Sequence, residues 1–401
     1  MAIRSANLFG FTPEIESQAF EDWLASRGYK PNTIKFQMCL VTGLGRWLAP
    51  SGRSAGDLGP AVVAEFVSHY NTCHVRNISP QALAAFGEFI RTTGIEVATA
   101  EPPPGEVDVI LDGYRNYLLS ERGLASSTVQ TRMPLLRPFL EGRLREGHLE
   151  LATIAPTELA DTIVKHYGTH SPKTTKSQVS ALRSLLDYLY LQGIINRRLS
   201  EAVPQAAQHS MAGLPPLLGA DEVRRLLESC DRSSPTGRRS FAVITLLARL
   251  GLRAGEVAAL MLEDIDWRSG VIRVRGKGGH LEAMPMPADA GEALAAYLQG
   301  TRPETALARN VFVRIHAPHR AMSGHSVSWV VADAATRAGL GTMHAHRLRH
   351  FAASETLARG ADLAEVGELL RHRSLISTAI YAKVNTEALR TIARPWPGAV
   401  R

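Results

Sequence analysis

Residues 344–350 read HAHRLRH and run on into the apolar stretch FAASETL. Three histidines and two arginines fall within these seven residues. His346 and His350 are four apart and share one face if the stretch is helical. A zinc site needs a third ligand, and the HExxH pattern places a glutamate directly after its first histidine. Arg347 occupies that position here, and Arg349 follows two residues on. Two guanidinium groups would repel a metal cation, so a metal centre is disfavoured. A solvated basic helix end, a nucleic-acid patch and a phosphate pocket stay open.

The rest of the chain narrows these choices. At 401 residues it suggests two or three domains, and 45% hydrophobic residues are enough to build cores. No apolar run approaches the ~18 residues of a membrane span. The opening MAIRSANLFGFTPEIES lacks the apolar centre of a signal peptide. The three cysteines, Cys39, Cys73 and Cys230, are isolated, which fits neither a disulfide framework nor a zinc finger and points to a reducing cytoplasm.

The net charge is +7, and it is unevenly placed. Residues 212–401 hold 25 Lys and Arg against 18 Asp and Glu, whereas residues 1–211 hold 20 of each. The basic excess therefore sits in the C-terminal part, where a polyanion such as DNA is a natural partner. Residues 1–100 are close to charge balance, which does not favour strong non-specific DNA binding by that segment.

VATAEPPPGEV (97–107) and AVPQAAQHSMAGLPPLLG (202–219) read as linkers rich in Pro, Gly and small residues. They divide the chain at about 1–100, 105–203 and 214–401. The first two segments resemble each other. FEDWLASRGYKPNTI (20–34) matches YRNYLLSERGLASSTV (114–129), VSHY (67–70) matches VKHY (164–167), and FGEFIRTTGI (86–95) matches LDYLYLQGI (186–194). Three pairs in the same order suggest a duplicated small helical domain, with apolar residues at three- and four-residue steps. The third segment mixes helices such as SFAVITLLARLG with three short strands, LEDIDW, VIRVR and HLEAMPMP. GKGG (276–279) would turn between the last two strands. Asp362 with Glu365 predicts a capping box at a helix start. The fold expected is mainly α: two small helical bundles, then a mostly helical domain with a small antiparallel sheet.

Several residues of the third segment carry chemistry. Arg253, in GLRAGE, has Glu256 three residues on and could simply pair with it. Lys277 sits in the hairpin turn. Residues 212–401 contain two lysines, Lys277 and Lys383, against 23 arginines. A chain with that habit would write arginine at an indifferent cation, and lysine differs in being able to release its proton. LLRHRSLISTAIYAKV carries His372 and, nine residues later, Tyr381.

In order, GLRAGE, the GKGG lysine, H-x-L-R-H and H-x8-Y resemble the tyrosine recombinase (phage integrase-like) family. The resemblance covers 214–401, and 105–203 is similar to that family's helical core-DNA-binding domain. Two departures stand out: Arg371 replaces the glycine usual before the third-box histidine, and Phe351 replaces a small hydroxyl residue.

The resemblance implies a catalytic set of Arg253, Lys277, His346, Arg349, His372 and Tyr381, with Glu256 in support. Tyr381 would be the nucleophile, forming a 3′-phosphotyrosyl bond. Arg253 and Arg349 would clamp the phosphate, Lys277 would protonate the leaving 5′ oxygen, His346 would take or orient the tyrosine proton, and His372 would bond the phosphate. Neither metal nor other cofactor is implied. The implied partners are duplex DNA with specific recombination sites, three further copies of the chain in a tetramer on DNA, and helper recombinases or accessory proteins. Segments 105–203 and 214–401 would close on the duplex; 1–100 reads as an arm-type domain or a duplicate core-binding module contacting outer DNA, with a protein-contact domain as the alternative. The element served could be mobile, and the location cytoplasmic. His344 and His350 are left as structural or backbone-contacting. Two rivals stay open: a type IB topoisomerase-like relaxing enzyme, and a catalytically silent DNA-binding architectural protein of the same fold.

Overall fold

The computed structural model describes residues 17–75, 77–95, 104–169, 171–204, 218–276 and 280–371. Two compact units result, one formed by residues 1–98 with 214–401 and the other by residues 99–213. No helix among the described residues is long and apolar enough to cross a membrane.

The N-terminal stretch holds α1 (Ser17–Ser26), α2 (Pro31–Leu48), α3 (Pro60–Cys73) and α4 (Ala84–Thr92). Proline opens both α2 and α3, at the one helical position where its missing N–H costs nothing. Phe20, Leu24, Leu44, Phe66 and Phe86 form its core. Glu88, on α4, accepts hydrogen bonds from Arg27 at 3.1 Å and from Arg320 of the C-terminal stretch at 2.8 Å.

The middle stretch holds α5 (Glu106–Asn116), prolonged by a π turn, then α6 (Ser126–Glu141), α7 (Pro156–Thr169) and α8 (Pro172–Leu191). A two-residue hairpin, β1 (Leu144–Arg145) with β2 (His148–Leu149), separates α6 from α7. Leu111, Tyr114, Leu136, Leu182 and Leu186 lie in its own core. The matched sequence pairs fall on matching helices: FEDWLASRGYKPNTI runs from α1 into α2 as YRNYLLSERGLASSTV runs from α5 into α6, VSHY and VKHY lie in α3 and α7, and the third pair covers α4 and the end of α8.

The C-terminal stretch is built round α10 (Pro235–Leu250), which follows α9 (Ala220–Glu228). Ser234 starts α10 by accepting the N–H of Gly237 at 3.1 Å, with Pro235 as the first helical residue. Ala242, Val243, Ile244, Leu246, Leu247 and Leu250 are all buried. Each fully buried Val, Leu or Ile side chain among them contributes roughly 2 kcal/mol, so α10 is the axis on which the rest packs. Next come α11 (Ala254–Ala259) and a three-stranded antiparallel sheet of β3 (Ile265–Asp266), β4 (Val271–Arg275) and β5 (Leu281–Pro285). They are followed by α12 (Ala288–Gly300), α13 (Gly324–Arg337), α14 (Ala345–Ala358) and α15 (Leu363–Leu369). Helices α12, α13 and α14 all touch α10.

VIRVR alternates as a half-buried strand should: Ile272 and Val274 face the core and Arg273 faces solvent. Gly276 donates to the His280 carbonyl at 2.8 Å and closes the β4–β5 hairpin. LEDIDW is less of a strand than its sequence suggests. Leu262–Asp264 form a 3-10 turn instead, because the Asp264 carboxylate accepts the Met261 N–H at 2.9 Å and grips Arg275 at 2.7 and 3.1 Å. The capping box of α15 is present, with Asp362 and Glu365 exchanging side-chain-to-backbone bonds at 2.8 Å each. Helices α11 and α13 meet backbone to backbone: a Cβ on Gly324 would stand 3.2 Å from the Cα and N of Gly255.

Candidate active site

Helix α10 ends at Gly251, whose φ of 57° lies in the left-handed region that glycine enters without a Cβ penalty. The chain reverses there, buries Leu252, and brings Arg253 to the start of α11 in extended conformation. The Arg253 side chain is 41% exposed and rests on Glu256, which is 5% exposed. Glu256 Oε1 accepts from Arg253 Nη1 at 2.6 Å, and its Oε2 accepts the Arg253 backbone N–H at 2.9 Å. The pair foreseen at i,i+3 is therefore real, and it fixes the arginine by its backbone as well as by its side chain.

A third group joins them. Arg371 Nη2 donates to Glu256 Oε2 at 2.7 Å, and its side chain is 3% exposed. Burial alone pushes the Glu256 carboxyl up. The Arg253 N–H, the Arg371 charge and the Arg253 guanidinium together outweigh that effect and hold it below the ordinary glutamate value. Arginine in place of glycine at 371 would be expected to reshape this corner, because a Cβ disfavours left-handed backbone. Arg371 has φ 53°, so the backbone keeps the left-handed turn that glycine would take and the side chain is the novelty.

Helix α14 supplies the opposite wall. HAHRLRH is its N-terminal cap and first turns, with His344 as cap. His346 is exposed and makes an edge-on ring contact with His350, centroids 4.4 Å apart. Arg349 lies one turn on and is 1% exposed. Its Nη1 donates to the Gly251 carbonyl at 2.5 Å, and its Nη2 donates to the Leu370 carbonyl. Phe351, in place of a small hydroxyl residue, is buried in the main core.

Arg253 and His346 line one cavity of about 540 Å³, together with His325, Ser328, Trp329 and His344. The amino end of α14 opens on it and adds a partial positive charge. The cavity suits an anion: it offers a guanidinium, imidazoles and a hydroxyl. Arg349 does not line it; its guanidinium is turned to the Gly251 and Leu370 carbonyls. Lys277, His372 and Tyr381 lie outside the described residues; Gly276 and Arg371 mark where the chain leads to them.

Sequence reasoning missed His325, Ser328 and Trp329. They lie on α13, whose core face carries Val327, Val330, Val331 and Ala334. Trp329 falls off that stripe and is exposed. A large aromatic residue out of phase with the apolar period was the available signal.

The sequence matches the phage integrase family over residues 216–388 and that family's N-terminal SAM-like domain over residues 111–193. It is 38% identical to the putative integrase/recombinase y4rA of Sinorhizobium fredii, over 94% of this chain and 93% of that protein. It is 33% identical to tyrosine recombinase XerD of Mycobacterium tuberculosis, over 72% of this chain and 96% of that one. The fold is similar to that of the XerH site-specific recombinase bound to a palindromic difH substrate, with TM-score 0.54 and 20% identity over 82% of this chain and 93% of that one. It is equally similar to a lambda integrase dimer bound to a core site, with TM-score 0.54 and 20% identity over 73% and 98% of the two chains.

Proposed function

This chain belongs to the phage integrase family and is a site-specific tyrosine recombinase, and we propose that it works through a 3′-phosphotyrosyl intermediate on Tyr381. The observation that carries the reading is Arg253, held by Glu256 and facing the same cavity as His346. A guanidinium so fixed is ready to bind the non-bridging oxygens of a phosphodiester and the extra charge of its five-coordinate transition state.

In the first step the Tyr381 oxygen bonds to phosphorus and the bond to the 5′ oxygen breaks. His346 takes the tyrosine proton and Lys277 gives one to the 5′ oxygen. His372 donates to the phosphate. In the second step the 5′ hydroxyl of a partner strand attacks the phosphotyrosyl bond and releases Tyr381. The number of phosphoester bonds is unchanged, so no external energy source enters. Arg349, buried off the cavity surface, gives the second phosphate contact once its guanidinium turns from the Gly251 and Leu370 carbonyls. A phosphate approaching it competes with the Gly251 and Leu370 carbonyls for the same guanidinium.

Residues 105–203 bind the core half-site and residues 214–401 cut it, while residues 1–100 contact outer DNA. Four copies on two sites complete the exchange in the cytoplasm, with helper proteins as the site requires, and the substrate DNA is an element that moves. One solved structure with the same fold is a lambda integrase tetramer bound to a Holliday junction, and another is a Tn1549 transposon integrase with circular intermediate DNA. The relatives are integrases and recombinases, which favours exchange over relaxation of supercoils.

The test uses a pool of nicked duplexes with a randomised core, from which SDS-stable protein–DNA adducts are recovered and sequenced. Wild type should enrich a defined core, and Tyr381→Phe should give no adduct while still binding the enriched DNA. An adduct that persists in Tyr381→Phe removes Tyr381 from the mechanism.

A further inference from the structure

Two non-glycine residues among those described adopt a left-handed backbone, Glu146 and Arg371. Glu146 lies in the exposed turn of the β1–β2 hairpin, where such backbone is routine. Arg371 stands just past the end of α15, a position where glycine is favoured because a Cβ is costly there. Its side chain is also almost wholly buried, and burying a guanidinium is unfavourable unless it is paired. Both disadvantages fall on one residue, and the structure shows what offsets them.

Arg371 reaches three separate parts of the site. Its Nη2 bonds Glu256 Oε2, the oxygen that also accepts the Arg253 N–H. Its Nη1 donates to the Leu369 carbonyl at 3.0 Å and lies on the Met284 sulfur of β5. Its Nε is 4.0 Å from the Glu282 carboxylate, also on β5. Strand β5 begins four residues after Lys277 in the sequence, and Arg371 itself immediately precedes His372.

The charges decide what this does. Glu256 with Arg253 alone would be a neutral pair. Glu256 between two arginines leaves those three groups at +1, with the half-exposed Glu282 only at the 4.0 Å edge of Arg371. Arg371 is buried and Arg253 is the exposed member, so the surplus is presented at the cavity, where a phosphate would meet it. We propose that Arg371 is a positioning residue: it shares Glu256 with Arg253, so that the carboxylate holds the Arg253 guanidinium in place without cancelling its charge toward a phosphate, and it ties the corner that precedes His372 to strand β5. This role rests on the phosphotyrosyl reading given above, and it concerns a residue the family motif leaves to glycine.

Full-length protein and the enriched nicked duplex allow single-turnover adduct formation, DNA affinity and thermal melting to be followed together. Arg371→Met and Arg371→Lys keep the same backbone and nearly the same bulk but differ in charge. Arg371→Met should form adduct at least about tenfold more slowly, a rise of roughly 1.4 kcal/mol in the barrier, with DNA affinity within a few-fold of wild type. Arg371→Lys can still reach Glu256 and should recover most of the rate. Arg371→Gly should melt close to wild type, because relief of the left-handed backbone offsets the lost ion pair, yet cleave as slowly as Arg371→Met. The role is overturned if Arg371→Met or Arg371→Gly cleaves within twofold of wild type, or if Arg371→Lys is no better than Arg371→Met. It is also overturned if cleavage and DNA affinity fall together by the same factor. A wild type that forms no adduct sinks the phosphotyrosyl reading and this role with it, whereas a wild-type adduct beside an indifferent Arg371→Gly sinks this role alone.

Discussion

Arg253 and Arg349 are the same residue type with the same proposed ligand, and their surroundings are opposite. The α10–α11 corner holds Arg253 half-exposed over a buried carboxylate. The first turns of α14 hold Arg349 buried against two backbone carbonyls. The support described for the first is a charge, and among the described residues the second bonds a pair of carbonyl dipoles. Removal of the first arginine leaves Glu256 still bonded to Arg371, whereas removal of the second strands two buried carbonyls. Function and stability should therefore separate between the two corners.

The largest effects test that separation directly. Arg253→Ala should slow adduct formation by ~10²–10³-fold, the usual share of one transition-state donor, while melting changes little, because the buried Glu256 keeps Arg371 as its charge partner. Arg349→Ala should also cut poorly, but with a stability loss of about 2–5 kcal/mol from unsatisfied carbonyls. Equal melting of the two variants would break the comparison.

A smaller effect is expected where the two corners meet. Gly251 gives its carbonyl to Arg349 and precedes Arg253 by two residues. A Cβ there would stand 2.9 Å from Leu370 Cδ2, on left-handed backbone. Gly251→Ala should cost about 1–2 kcal/mol of stability and lower cleavage through both arginines. Chemical denaturation of the variant, read beside its adduct rate, checks this.

The smallest effect is in the pH dependence. The Glu256 carboxyl is held below its unfolded value, so its stabilisation is fully present above the unfolded pKa of ~4.3 and is lost as pH falls through the lower folded value. Wild type and Glu256→Gln should therefore differ in melting temperature near neutrality and converge on acidification below about pH 4. Parallel curves down to the acid limit would show that Glu256 carries no linked charge and would weaken the contrast between a charged and a dipolar support.

Much of this was legible in the chain itself. Local rules sufficed where partners are close in sequence: the Asp362–Glu365 box, the VIRVR alternation and the Arg253–Glu256 pair are all set within a turn or a strand. The motif order pointed to the same domain. What stayed hidden depends on contacts between distant residues. Nothing local says that Arg349 will bond Gly251, or that Arg371 will meet Glu256. The sequence did flag 371 as a departure, but a departure in residue type does not reveal that the backbone stays as glycine would have it. His325 and Trp329 were passed over because a helix stripe shows which side is buried, and the cavity opens on the other side. Lys277, His372 and Tyr381 rest on the motif alone.

The meeting of Gly255 with Gly324 has a further consequence for how the enzyme behaves in different solutions. Almost everything a DNA phosphate would feel here is electrostatic, and added salt screens such attraction within about 10 Å at 0.1 M. The spacing between α11 and α13, which sets the distance from Arg253 to the α13 wall, is too close to admit even a Cβ on Gly324 without crowding Gly255. That spacing works as a gauge block, indifferent to ionic strength and pH. Salt should change how often DNA occupies the cavity and leave unaltered the dimensions it finds there.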